Sequence, residues 1–181
     1  MNILAVHRNP VIAARSLCDS HISKMILESA QMLASALIRH DCPTSKLPLT
    51  KSGTPYKESH ANHPSTIWCG NNRDNYEWLC WHGLALGEQF EERYNKKHAS
   101  VEAIKDACSL IEYIPEGSQT DFARAINMKT YPQLNDYIEW PNTVLAYRAF
   151  YNLDKKNFAK WGEGRTPPAW WNPDFTLEMK E

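Results

Sequence analysis

At 181 residues the chain is long enough for one domain with a real core. Its formal net charge of −1 provides no global field for polyanions, so binding to nucleic acid would have to rest on a local patch. Five widely spaced cysteines with no Cys-x-x-Cys pair argue against a disulfide framework or a thiolate zinc site, no apolar run reaches membrane-span length, and the opening MNILAVHRNP lacks the regions of a secretory leader, so a cytoplasmic protein is expected.

Residues 2–6 form a short apolar opening. Asn9 followed by Pro10 reads as an N-cap and first helical position, predicting a helix over about 10–17. Asp19 is a second candidate N-cap, for a long helix running to about Arg39. His40, Asp41 and Pro43 end it. Residues 41–67 carry four prolines and Gly53 without sustained periodicity, and are expected to be a long loop of the kind that often carries function. Asn71, Asn72 and Asp74 open another long helix, about 72–98. Its Gly83 and Gly87 leave a groove for close helix approach. Ser100 can cap a helix over about 101–113, a short helix is expected over 120–126, and Pro132 marks a loop. Pro141 suits the first position of a helix over about 141–160, and the Pro- and Trp-rich tail from 162 is expected to be irregular. Strand-like alternation is nearly absent. The fold class expected is all-α, a single helical domain over 1–181.

On the helix over 19–38, His21, Lys24, Glu28, Gln31 and Ser35 fall within about 80° of arc at 100° per residue. Nearly all the rest of the circumference is apolar or small: Ile22, Met25, Ile26, Leu27, Ala30, Met32, Leu33, Ala34, Ala36, Leu37 and Ile38. A helix that is apolar nearly all round is buried, and a charged stripe on it must find partners or line a cleft. The expectation is that this stripe faces a working pocket. The competing reading is a narrow solvent face with a Lys24–Glu28 pair one turn apart.

Other polar candidates lie outside that helix. His60 and His63 have the spacing of two metal ligands, which His7, His21 and Glu28 could complete. The plainer reading puts an imidazole at a pocket mouth, and no metal is assigned. Arg73, at the start of the second long helix, could meet an anion. Trp68, Trp78 and Trp81 can stack on bases. Arg165 precedes Pro167, Pro168 and the adjacent Trp170 and Trp171, which either clamp the fold or form a stacking platform.

The segment Leu17-Cys18-Asp19-Ser20-His21, with Glu28 seven residues after the His, resembles the first helix of the pyrimidine-dimer DNA glycosylases, the endonuclease V type of T-even phages. Asp74-Asn75-Tyr76-Glu77-Trp78-Leu79, then Leu84, Leu86 and Arg93, is similar to that family's middle helix. His63-Pro64-Ser65-Thr66-Ile67-Trp68 is similar to the segment before it in the bacterial branch, and Arg165-Thr166-Pro167-Pro168-Ala169-Trp170-Trp171 to the family's tail. The resemblance implies an all-α fold and chemistry at a pyrimidine N-glycosidic bond. It implies Glu28 as the catalytic carboxylate, with His21 and Lys24 in support. In the family the α-amine of a processed Thr attacks the sugar. Here Asn2 is too large for the usual removal of Met1, so the amine implied is that of Met1, a departure that bears on the lyase step. Arg8, Arg73 and Arg165 are expected at phosphates, with Gln31, His60, His63, Trp170 and Trp171 at the substrate. The partner implied is DNA or a pyrimidine nucleotide, in a host cytoplasm if phage-encoded, with no cofactor. Two other readings of the chain are a nucleotide-metabolising hydrolase or transferase and a non-catalytic binding protein.

Overall fold

In the computed structural model, which describes residues 1–137 and 142–177, the protein is all-α. Six α-helices follow one another: α1 (Pro10–Arg15), α2 (Asp19–Arg39), α3 (Pro64–Cys69), α4 (Arg73–Tyr94), α5 (Val101–Cys108) and α6 (Thr143–Lys155). Tighter 3₁₀ turns lie at Thr44–Lys46, Ile111–Tyr113 and Pro132–Tyr137. The described residues contain no sheet, only an isolated bridge between Leu49 and Pro55. None of the helices is long and apolar enough to cross a membrane.

The helix starts follow cap chemistry. The Asn9 side chain accepts from the backbone N–H groups of Val11 and Ile12, and Pro10 sits just inside α1, where its missing N–H costs nothing. Asn72 does the same for α4 through the N–H of Asn75. Asp19 departs from its expected role. Cys18 holds the N-cap position of α2, and Asp19, the first helical residue, pairs with Arg93 of α4 at 2.8 Å.

The expected loop over 41–67 is shorter than its proline content implied. Pro64 starts α3 at its first position, with His63 as N-cap, by the same rule that operates at Asn9–Pro10. No helix forms over 120–126. The Thr120 N–H instead donates to Asn75 Oδ1, and the Phe122 ring packs against Trp68 and Trp78, so tertiary bonds to the start of α4 override local helix preference. α4 stops at Tyr94, short of residue 98, because Asn95 turns left-handed at φ 51°. α5 ends at Cys108 rather than 113, and the Pro132 loop is the last of the 3₁₀ turns. Pro141 lies outside the described residues; α6 runs from Thr143 and ends at Lys155, before residue 160. Beyond it the chain is irregular as far as it is described.

α2 is the central helix and packs against α3, α4 and α5, while α1 lies on α4. The two glycines of α4 allow this. A methyl group at Gly83 would stand 3.0 Å from Ile104 Cδ1 of α5 and 3.2 Å from Ser29 Cβ of α2; at Gly87 it would stand 2.8 Å from Val101 Cγ2. Gly87→Ala is therefore expected to destabilise the fold by about 1 kcal/mol, the overpacking cost of 1–3 kcal/mol outweighing about 1 kcal/mol of helix preference. Urea unfolding would measure this. Adding Val101→Ala should recover part of the loss, and an unchanged midpoint in Gly87→Ala would disprove the packing account.

Candidate functional site

The stripe on α2 is polar and mostly buried, but it does not face one pocket. It meets three separate chain segments along its length. At its N-terminal end His21 is buried against α6. Tyr151 Oη lies 2.6 Å from His21 Nδ1 and accepts from the backbone N–H of Cys18 at 3.0 Å. Burial holds the Tyr151 phenol protonated, far above its usual range. It therefore donates to Nδ1, and the neutral imidazole carries its own proton on Nε2. Burial, then Lys155 and Lys24, lower the His21 pKa to about 4, with Asp154 opposing. At the C-terminal end the Ser35 hydroxyl donates to Ser59 O and accepts from the Ser59 N–H, pinning the loop before α3.

Glu28 occupies the middle and meets the start of the chain. Its Oε2 accepts from the Asn2 N–H at 2.8 Å and lies 3.7 Å from the Met1 α-amine. Its Oε1 lies 3.6 Å from Lys24 Nζ, whose side chain is 65% exposed against 11% for that of Glu28. A buried carboxylate without such donors would be costly to keep ionised.

The first residues are bent to reach it. Asn2 Oδ1 accepts from the N–H groups of Ile3 and Leu4, and its Nδ2 donates to Ala125 O. Leu4 is buried in the left-handed region at φ 44°, and the Val6 N–H turns back to Leu4 O at 2.7 Å. A leucine in this conformation costs of order 1–3 kcal/mol and persists only when its surroundings over-determine it. Here the burial of Ile3, Leu4, Ala5 and Val6 does so.

His63 feels this centre electrostatically. Its Nδ1 accepts from the Ser65 N–H at 3.2 Å, so the neutral ring carries its proton on Nε2. Burial lowers its pKa, the N-terminal amine and His60 add to the effect, and Glu28 opposes it. The imidazole is thus within electrostatic reach of both the amine and the carboxylate. His60, left-handed at φ 51°, is exposed and bonds Ser59 Oγ at 2.8 Å. Among the described residues no group of three or more His, Cys, Asp or Glu is placed to hold a metal ion.

The remaining expected residues lie elsewhere. Gln31 lines a different depression, with Leu27, Tyr56 and Ser100. Arg73 is committed to the fold: it donates to Ile114 O and Glu112 O and pairs with Glu116 at 3.0 Å. Arg165 pairs with Glu92 at 2.9 Å, bracing the tail against α4. Of the two readings of the tail, clamp or platform, the packing matches the clamp. Trp170 and Trp171 both set their rings edge-on to Tyr151, and Trp171 also meets Trp161. Trp68 and Trp78 pack in the core, whereas Trp81 is 54% exposed. Arg8 borders a basic pocket with His7.

Met1, Lys24 and Glu28 are therefore brought together, with His63 within electrostatic reach, while His21 is set apart by its bond to Tyr151. Asn2 was missed. Its signal was an Asn just before a buried run, where its side chain can bond the N–H two residues on. Chemically, a fixed carboxylate beside an amine can stabilise a sugar cation and move a proton. No family model, no curated protein and no solved structure matches this chain.

Proposed function

We propose that the protein is a base-processing enzyme acting at a pyrimidine N-glycosidic bond, with Glu28 as its catalytic carboxylate. The observation that carries this reading is the Glu28 carboxylate held between the Asn2 N–H at 2.8 Å and the Met1 amine at 3.7 Å. An oxocarbenium-like sugar needs a fixed negative charge beside it, and a carboxylate whose donors are already in place needs no reorganisation to supply it.

In the amine-dependent form of the reaction, neutral amine nitrogen bonds to C1′ as the bond from C1′ to the base breaks. The base leaves with the bonding pair. The proton lost by the amine passes to Glu28 and on to the departing base. If water attacks in place of the amine, Glu28 takes a proton from water and passes it to the departing base, and the products are free base and a sugar phosphate with a hydroxyl at C1′. Lys24 Nζ lies 3.6 Å from the other carboxylate oxygen, and the His63 imidazole stands within electrostatic reach.

Borohydride trapping on an oligonucleotide carrying an abasic site, together with release of free base from ultraviolet-irradiated DNA and from dTMP, tests the reading. A trapped adduct supports the amine route, and released base without an adduct supports the water route. Neither product from any substrate rejects catalysis at this bond and favours a non-catalytic binding protein. The net charge of −1 favours a nucleotide or a single strand over duplex DNA, whose affinity is dominated by phosphate contacts. Activity on dTMP alone would identify a nucleotide-metabolising hydrolase.

A further inference from the structure

The segment that delivers Met1 and Asn2 to Glu28 continues into a second feature. A pocket of about 340 Å³ is lined by His7, Arg8, Asn142, Val144, Leu145 and Arg148. Three of these six carry basic side chains, and none is acidic.

Arg148 is the informative member. Arg73, Arg93 and Arg165 each meet a carboxylate, Glu116, Asp19 and Glu92 respectively. Among the described residues Arg148 meets none, although it is half-buried on α6. Its orientation is nevertheless set. Nε donates to Val6 O at 2.8 Å, and the guanidinium lies over the Trp170 ring, 5.8 Å from its centroid. The two terminal nitrogens have no hydrogen-bond partner among the described residues, so the fork is aligned in advance for a planar or tetrahedral oxyanion. Burial lowers the Arg148 pKa, as expected for a guanidinium that meets no carboxylate among the described residues. His7 Nδ1 accepts from the Asn9 N–H at 2.9 Å, so its Nε2 is left as a donor. Asn142 and the apolar Val144 and Leu145 form the rest of the wall.

We propose that this pocket is a phosphate-binding subsite, in which the Arg148 fork and His7 Nε2 hold the phosphoryl group of the nucleotide acted on at Glu28. The inference rests on the reading of Glu28 given above for the identity of the ligand, not for the binding itself. Asn2 and Arg8 are six residues apart, so at most roughly 20 Å separates the two sites along the chain. The turn at Leu4 shortens that distance.

Titration calorimetry with thymidine, dTMP and a four-nucleotide oligothymidylate lacking terminal phosphates tests it. dTMP should bind at least about tenfold more tightly than thymidine, the worth of one charge-assisted hydrogen bond. R148K keeps the charge but loses the fork and should remove most of that difference. H7Q, at a partly exposed residue whose loss leaves the core intact, should reduce it several-fold. A preference confined to dTMP identifies a phosphomonoester; one confined to the oligonucleotide identifies a strand phosphodiester. Equal binding of all three ligands, or a phosphate preference that survives both substitutions, overturns the proposal. Phosphate-dependent dTMP binding by the wild-type protein without any base release would count against the Glu28 reading alone.

Discussion

Glu28→Gln is expected to lower base release and adduct trapping by about a hundredfold or more, the scale on which removal of a positioned acid–base or electrostatic group acts. The fold should survive, because the amide oxygen of Gln can still accept from the Asn2 N–H that Glu28 now holds at 2.8 Å. What is lost is the negative charge beside the Met1 amine. Thermal unfolding should therefore be nearly unchanged while activity collapses, a combination that separates a catalytic carboxylate from a structural anchor. Lys24→Ala should be far milder, a few-fold at most, since its ammonium is largely exposed and screened. Wild-type turnover in Glu28→Gln would sink the assignment.

Acidification should weaken the fold strongly between pH 6.5 and pH 4. Burial lowers the pKa values of His21 and His82 from the ordinary 6.5 to about 4. In that window the unfolded chain binds protons that the folded chain does not, so stability falls as pH falls. It is fully present above about pH 6.5 and lost by about pH 4. Each imidazole contributes of order 3 kcal/mol across the window. His82 is fully buried, with Nδ1 donating to Pro10 O at 3.1 Å and Nε2 without a partner among the described residues, and it stacks on Trp78. His21 has no room for a second proton while Tyr151 donates to its Nδ1. Urea unfolding at pH 7 and pH 4.5 would show the loss, and His82→Leu should flatten roughly half of it. Equal stability at the two pH values would contradict the burial of both rings.

The parts of the fold legible from the residues were those governed by local chemistry. Apolar spacing identified α2 and α4, and side-chain caps marked Asn9 and Asn72. The rule that found α1 from Asn9–Pro10 also applied at His63–Pro64, but the neighbouring prolines hid it. The short helix expected over 120–126 failed for a non-local reason, since its backbone is recruited by Asn75 and its Phe122 by two tryptophans.

The site divides along the same line. Sequence periodicity by itself determined that α2 is a mostly buried helix with one narrow polar stripe, because helical geometry fixes which side chains share a face. It could not determine what each stripe residue meets. That was decided by where distant segments dock: α6 brings Tyr151 to His21, the first two residues bring an amine and an amide to Glu28, and the loop brings Ser59 to Ser35. The same holds for the basic side chains. Arg73 and Arg165 looked equally available in sequence, yet tertiary pairing with Glu116 and Glu92 ties both to the fold. Arg148, unremarked in the sequence, is half-buried and meets no carboxylate among the described residues. A side chain's type is local, but whether its charge is already satisfied depends on partners far along the chain, which only tertiary packing supplies.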